Sequence, residues 1–155
     1  MPLLAILLSA LGLVPFVVCG LGALGSDPAS HMLDALIGYG AVTLAFAGGV
    51  HWGFALGPQQ QSEPFVERAR LGLPVVPALL GWIALLALVV VAWWVALGLL
   101  IAAYIGTALL EQQAARRALL PPRYMLMRWV FTGVALAMLI TVLTLRLLGQ
   151  TVTVF

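Results

Sequence analysis

Lysine is absent from this sequence, cysteine occurs once, and charged residues of either sign are scarce. All seven cationic residues are arginine, and charged residues make up 8% of the chain, against about 25% in a soluble domain. The net charge of +2 is too small for a nucleic-acid-binding protein. Cys19 alone provides neither a disulfide framework nor a cysteine metal site. These shortages exclude an ordinary soluble domain, a nucleic-acid partner and a disulfide-stabilised scaffold.

Apolar residues dominate instead, at 64% of 155 residues. In lipid, every backbone polar group must be paired within the protein, which favours helices. The sequence therefore predicts an all-α integral membrane bundle in a single domain, 1–155, surrounded by the lipid bilayer. The N-terminus lacks the basic start of a signal peptide, so we expect it to be retained. Five transmembrane helices are predicted, at about residues 3–24, 33–57, 72–91, 95–114 and 124–148.

The apolar run from Leu71 to Leu110 must contain two of these helices. Roughly forty helical residues reach about 60 Å, which is twice the ~30 Å thickness of the hydrocarbon core. We place the reversal at Val91–Val95, because Trp93 and Trp94 suit the headgroup region.

Arginine placement predicts the orientation, because cytoplasmic loops of membrane proteins are enriched in Lys and Arg. Only Arg146 lies on the side of the C-terminus. We therefore expect the N-terminus in the cytoplasm and the C-terminus outside, which agrees with an odd number of spans. The arginines on the cytoplasmic side are Arg68, Arg70, Arg116, Arg117, Arg123 and Arg128.

The same topology brings reactive side chains to the cytoplasmic end of the bundle. An ionisable side chain inside a membrane span is a functional candidate by default. Such a pocket could hold an anionic headgroup or a quinone-like ring, or relay protons through His51 and Glu111. In the structural alternative, the arginines are membrane anchors, Glu111 pairs with Arg128 or Arg116, and His51 is hydrogen-bonded against another helix. The predicted pocket consists of His51, Trp52, Arg68, Arg70, Glu111, Tyr124 and Arg128.

Small residues recur at every fourth position of the second predicted helix. On a helix this spacing forms one continuous ridge, along which membrane helices can approach closely. The ridge either packs against another helix of the same chain or docks a partner protein or a second copy. It consists of Ala41, Ala45, Gly49, Gly53 and Gly57.

The sequence gives little support for a metal, haem or nucleotide site. The second histidine, His31, lies about 30 Å from His51 along the helix, on the opposite side of the membrane. One histidine without a nearby cysteine cannot form a zinc site, and the carboxylates are too few for a di-metal bundle site. We see no Ser-His-Asp arrangement and no phosphate-binding glycine loop. We therefore expect no metal, no cofactor and no catalytic residue.

The segment YGAVTLAFAGGVHWG, from Tyr39 to Gly53, resembles the signature of the DUF3429 family, which includes the transmembrane protein 69 group of eukaryotes. The later segment LPPRYMLMRW, from Leu120 to Trp129, resembles a second recognisable segment of that family. Glu111 stands where the family often has an aspartate. The resemblance implies a multi-span membrane protein, placed in the bacterial inner membrane here. The resemblance implies no particular activity, so it identifies no catalytic residue in this sequence.

Two functions remain open on the sequence. In the first, the protein is a non-enzymatic accessory bundle that binds a membrane-protein partner or a second copy through the small-residue ridge. In the second, the polar pocket binds or transports a small molecule, a lipid, a quinone or protons. The lack of a catalytic arrangement favours a protein that is not an enzyme.

Overall fold

The computed structural model describes residues 3–25, 29–56, 72, 74–116 and 122–149. The all-α prediction is confirmed, since these residues form helices and contain no strand. Each apolar segment of the sequence forms one helix. The five helices are α1 (Leu3–Ala23), α2 (Ala29–Leu56), α3 (Val75–Val90), α4 (Trp93–Arg116) and α5 (Pro122–Leu147).

Three of these helices are long and apolar enough to cross a bilayer, rather than the five that the sequence predicts. They are His31–Gly53 within α2, Trp93–Arg116 and Tyr124–Leu147. The apolar parts of α1 and α3, Leu7–Ala23 and Val75–Val90, are shorter. At 1.5 Å per residue they reach about 25 Å, slightly less than the hydrocarbon thickness of ~30 Å. The described helices therefore include three that meet the requirements of a membrane span.

The connection between α3 and α4 is shorter than expected. The amides of Val91 and Ala92 both donate to the Ala87 carbonyl, at 3.0 and 2.9 Å. Val91 leaves helical geometry, with φ −115° and ψ −82°, so the reversal uses neither glycine nor proline. Trp93 and Trp94, expected within the reversal, are the first two residues of α4.

Each helix packs against the next along the chain, and α5 packs back against α1, which closes a ring. α2 also contacts α4 across the ring. α2 and α4 run in the same direction, because Thr43 contacts Tyr104 and His51 contacts Glu111. This parallel pair places the C-terminal ends of α2 and α4 side by side.

An aromatic cluster fills the middle of the bundle. The buried ring of Phe16 on α1 lies edge-on to three other rings, with centroid distances of 5.1 Å to Tyr39, 5.8 Å to Phe131 and 6.2 Å to Tyr104. Edge-to-face contacts at such distances are favourable in addition to the apolar area that they bury. The cluster holds α1, α2, α4 and α5 at a fixed spacing.

The close backbone contacts of α2 involve only part of the predicted ridge. Ala41 is buried against Gly81 of α3. A Cβ added to Gly81 would lie 2.8 Å from the Ala41 carbonyl oxygen. Gly49 and Gly53 are exposed, and an added Cβ there would meet no described atom within 4 Å. Ala45 is half-buried. Gly57 lies outside the described residues.

Gly48, which is not part of the ridge, makes the closest approach instead. A Cβ added there would collide with the Pro74 carbonyl oxygen and lie 3.2 Å from the Pro77 ring. Gly48 and Gly49 are one residue apart, so they point about 100° apart around α2. The face of α2 that packs on α3 is therefore rotated away from the face that bears Gly49 and Gly53.

Candidate functional site

Three helices bring ionisable side chains together at one end of the bundle, where α2 and α4 end and α5 begins. We call this the charged end; its described core consists of His51, Glu111 and Arg128. His51 lies near the end of α2, Glu111 near the end of α4, and Arg128 in the second turn of α5. The parallel packing of α2 on α4 and the reversal between α4 and α5 place the three at one level.

Glu111 is the centre of this cluster. Its Oε2 accepts a hydrogen bond from Arg128 Nε at 2.7 Å, and its Oε1 lies 3.1 Å from His51 Nε2. The side chains of Glu111 and Arg128 are only 6% and 4% exposed, whereas that of His51 is 21% exposed. The imidazole is thus the member of the cluster that reaches the surface of the bundle.

Arg128 is held by a second bond to α4. Its Nη2 donates to Thr107 Oγ1 at 3.2 Å, one helical turn before Glu111. Thr107 Oγ1 itself donates to the Ala103 carbonyl at 2.8 Å. Two bonds from one guanidinium to two turns of the same helix fix the orientation of the guanidinium. Arg128 therefore fastens α5 to α4.

The remaining predicted pocket residues fall into three groups. Tyr124 joins the cluster, with its ring centroid 6.1 Å from that of His51 and the planes 79° apart. Trp52 is 45% exposed on the outside of the bundle. Arg68 and Arg70 lie outside the described residues.

An ion pair at this depth costs a large desolvation energy, which its attraction only partly returns. Removing one partner of such a pair typically costs about 3–5 kcal/mol, because the other charge is left buried without compensation. The pair therefore adds little to net stability, although it strongly constrains which side chains can occupy these positions. Charged groups at membrane depth that are retained at such cost are functional candidates.

The cluster is suited to exchanging a proton. If the Glu111 carboxylate accepts from His51 Nε2, that nitrogen carries the hydrogen. Histidine is the side chain that most readily changes its charge near neutral pH. Among the described residues, no group of three or more His, Cys, Asp or Glu side chains could hold a metal ion.

Several polar residues of the bundle were not predicted from the sequence, namely Thr107 and a set nearer the middle of the bundle. Thr43 and Tyr104 lie with their hydroxyl oxygens 2.6 Å apart, and Tyr104 donates to the Gly40 carbonyl at 2.9 Å. Thr132 on α5 is fully buried. The available signal was the spacing of Tyr104, Thr107 and Glu111, which places three polar residues on one face of an apolar helix.

Comparison with known proteins identifies the family of this chain. Residues 1–144 match the model of a family described as "Protein of unknown function (DUF3429)". The chain is also 39% identical over 87 residues to Transmembrane protein 69 of Xenopus tropicalis, a match that covers 53% of this chain. That match covers 32% of the relative, so the chain corresponds to about a third of it. No solved structure matches the chain. The family match confirms the resemblance to DUF3429, and the chain is a membrane protein that belongs to the DUF3429 family.

Proposed function

We propose that this protein crosses the membrane five times and transports protons, which enter at the charged end through His51. The observation that carries the proposal is the position of Glu111. Its carboxylate is buried, neutralised by Arg128 on one side and bonded to the surface-reaching imidazole of His51 on the other. Among the described residues, His51 is the side chain that connects this carboxylate to the surface of the bundle.

The charged end fits a proton better than an anion or a quinone. The positive charge of Arg128 is balanced by Glu111, so Arg128 itself attracts an anionic headgroup only weakly. Arg128 is also bonded to Thr107, so an anion would have to displace two contacts. A quinone needs an apolar slot with a hydrogen-bond donor, whereas His51 and Glu111 already bond to each other.

A flux assay in vesicles tests the proposal. The purified protein is reconstituted into liposomes that contain a pH-sensitive dye, and a potassium diffusion potential drives protons across the membrane. We expect His51→Gln and Glu111→Gln each to slow dye acidification by at least about tenfold, because a positioned proton carrier contributes that much or more. His31→Gln is the matched control, because His31 is exposed at the opposite end of α2.

Two outcomes would overturn the proposal. In one, vesicles with the unaltered protein acidify no faster than empty vesicles. In the other, His51→Gln and Glu111→Gln conduct as well as His31→Gln. The folded fraction of each variant is measured by gel filtration and circular dichroism before reconstitution, so that a misfolded variant is not counted as an inactive one.

The five-span arrangement and its orientation belong to the same proposal. We place the chain in the bacterial inner membrane, with its N-terminus in the cytoplasm and its C-terminus outside. The arginine bias and the odd number of helices support this placement. Cysteines introduced at Ser26 and at Gln60, in a Cys19→Ala background, are tested with a membrane-impermeant maleimide on intact cells. Labelling at position 26 and protection at position 60 is expected; the reverse pattern contradicts the orientation.

A second candidate function is the binding of a membrane-protein partner or a second copy. It is favoured by the exposure of Gly49 and Gly53, where nothing described lies within 4 Å of an added Cβ. Phe46, 73% exposed, lies on the same outer side of α2. Gly49→Leu and Gly53→Leu would then reduce recovery of the assembly from gently solubilised membranes, as measured by native mass spectrometry. Unchanged recovery in both variants removes this candidate.

A further inference from the structure

A second polar network lies deeper in the bundle than the charged end. The hydroxyls of Thr43 and Tyr104 are 2.6 Å apart. Each hydroxyl also contacts a backbone carbonyl. The Tyr104 hydroxyl lies 2.9 Å from the Gly40 carbonyl oxygen, and the Thr43 hydroxyl lies 2.8 Å from the Tyr39 carbonyl oxygen. The Tyr39 hydroxyl in turn donates to the Gly12 carbonyl at 2.7 Å. We call these bonds the inner network; they join α4 to α2 and α2 to α1.

The inner network can rearrange its hydrogens. The hydroxyls of Thr43 and Tyr104 have two hydrogens between them. Three short contacts can take these hydrogens: one to the Tyr39 carbonyl, one to the Gly40 carbonyl, and one between the two hydroxyl oxygens. More than one arrangement of the hydrogens is therefore available at the same oxygen positions. A chain of hydroxyls with this freedom can pass a proton along, since each oxygen accepts one hydrogen and releases another.

One short gap separates the inner network from the charged end. On α4, Thr107 accepts from Arg128, and Tyr104 begins the inner network less than one helical turn away, about 4.5 Å along the axis. The Thr107 hydroxyl donates back to its own helix, to the carbonyls of Ala103 and Tyr104. It therefore does not continue the path to the Tyr104 hydroxyl by itself.

Thr132 lies on α5 near this gap. It is one turn after Arg128 on the same face. The contacts of Arg128 with Glu111 and of Trp129 with Gln112 align antiparallel α5 with α4, so that Thr132 lies at about the level of Thr107. Thr132 is fully buried, and its hydroxyl makes no hydrogen bond to any residue that the structure describes.

Thr132 differs from three other threonines of the chain in its hydrogen bonding. Thr43, Thr107 and Thr144 each donate to the carbonyl four residues earlier in their own helix, at 2.8 Å. Thr132 does not make the equivalent bond to the carbonyl of Arg128. A buried hydroxyl without a partner is costly, and such groups are commonly satisfied by an internal water molecule.

We propose that an internal water binds at Thr132 Oγ1 and joins the charged end to the inner network, so that protons pass from Glu111 past Thr132 to Tyr104 and Thr43. Arg128 lies one turn before Thr132 on the same face of α5, and Thr107, which is bonded to Arg128, lies at about the same level on α4, so polar groups are available to bind a water there. A proton arriving on the water releases one of the water hydrogens to the next oxygen, so no electron transfer or co-reactant is involved. This proposal rests on the proton transport proposed above.

The ionisable groups along this route are few. His51 on α2, Glu111 on α4, and Arg128 and Tyr124 on α5 belong to the charged end; Tyr104 and Tyr39 belong to the inner network. The described part of α3 contributes none, and Cys19 on α1 lies near Tyr39. The route therefore contains one carboxylate, Glu111, and beyond it only hydroxyl groups.

Two measurements test the water and the route separately. Solid-state NMR of the protein in lipid measures magnetisation transfer from water to the Thr132 side chain. We expect transfer to Thr132 to be several-fold stronger than to Ala135, the next buried residue on the α5 core face. Transfer as weak as that of Ala135 would show a dry site and overturn the proposal, whether or not the protein transports protons.

The vesicle assay then tests the route. Thr132→Val preserves the size of the side chain but removes the hydroxyl, and we expect it to slow proton flux by about tenfold or more. Thr144→Val is the matched control on the same helix, because the Thr144 hydroxyl is exposed and bonds only to its own helix. Normal flux in Thr132→Val, with Glu111→Gln inactive, overturns the route but leaves the proposed function intact. Inactive wild-type vesicles overturn the proposed function instead.

Discussion

The Arg128 guanidinium and the Glu111 carboxylate form an ion pair of 2.7 Å in which both side chains are more than nine-tenths buried. The pair joins α5 to α4, and the bond from Glu111 to His51 extends it to α2. One carboxylate thus connects three helices. Removing Glu111 would therefore leave Arg128 buried without a counter-charge and His51 without its bonded carboxylate.

The first prediction concerns the charge balance of this pair. Glu111→Gln should lower the free energy of unfolding by about 3–5 kcal/mol, because it leaves the buried Arg128 without a counter-charge. The double variant Glu111→Leu with Arg128→Met should regain much of that loss, because no charge remains buried. Unfolding in mixed micelles of increasing denaturing detergent measures the difference. Equal losses in the single and double variants would contradict the charge argument.

Gln112 offers the control for that experiment. It is the neighbour of Glu111 and accepts a hydrogen bond from the Trp129 indole at 2.9 Å, also between α4 and α5. This bond is exposed, so Gln112→Ala should cost only about 1 kcal/mol.

The second prediction uses two adjacent glycines of α2. Gly48→Ala should destabilise the protein by about 1–3 kcal/mol, because the new Cβ collides with the Pro74 carbonyl oxygen and α3 must shift. Gly49→Ala should be neutral or should stabilise by up to about 1 kcal/mol, since its Cβ meets nothing described and alanine favours helix. Detergent unfolding distinguishes the two. Similar effects in both variants would mean that α2 packs on α3 by a different face.

These glycines also show what the sequence could and could not predict. Long apolar segments separated by polar connections predict helices and their order, since lipid requires backbone pairing within each segment. Which face of a helix points inward is harder to read, because in a membrane the inward and outward faces are both apolar. The spacing of small residues at every fourth position favoured Ala41, Gly49 and Gly53. The structure packs Ala41 against α3, leaves Gly49 and Gly53 exposed, and packs Gly48, which is not part of the ridge.

The charged end was more accessible to sequence reasoning than the helix faces. Chain reversal alone places the ends of α2 and α4 beside the start of α5, so His51, Glu111 and Arg128 were expected at one level. The inner network was not foreseen, because Thr43 and Tyr104 are ordinary residues in an apolar helix. Their 2.6 Å contact depends on the rotation of α2 relative to α4, which side-chain packing decides.

The third prediction concerns that contact. Tyr104→Phe and Thr43→Val each remove one hydroxyl, and each should cost about 1–2 kcal/mol. The double variant should cost less than the sum of the two, because the shared bond is lost only once. A double-mutant cycle by detergent unfolding gives the coupling energy. Strict additivity would show that the two hydroxyls do not interact in the folded protein.

The last prediction concerns Arg146, at the opposite end of the bundle. Its Nε donates to the Ala23 carbonyl at 2.9 Å, and its guanidinium carbon lies 5.9 Å from the centre of the Trp93 ring. One side chain thereby joins the ends of α5 and α1 to the start of α4. Ala23 is the last residue of α1, so by bonding its carbonyl Arg146 also caps α1.

Arg146→Gln should therefore destabilise the protein by about 2 kcal/mol, through loss of a charged hydrogen bond and of the contact with Trp93. Arg146→Lys keeps the charge but not the planar guanidinium, and should recover only part of that loss. Arg116→Gln, at an exposed position at the end of α4, should cost no more than about 1 kcal/mol. If Arg146→Lys has the same free energy of unfolding as the unaltered protein, the positive charge alone stabilises this end of the bundle, and the geometry of the guanidinium is not required.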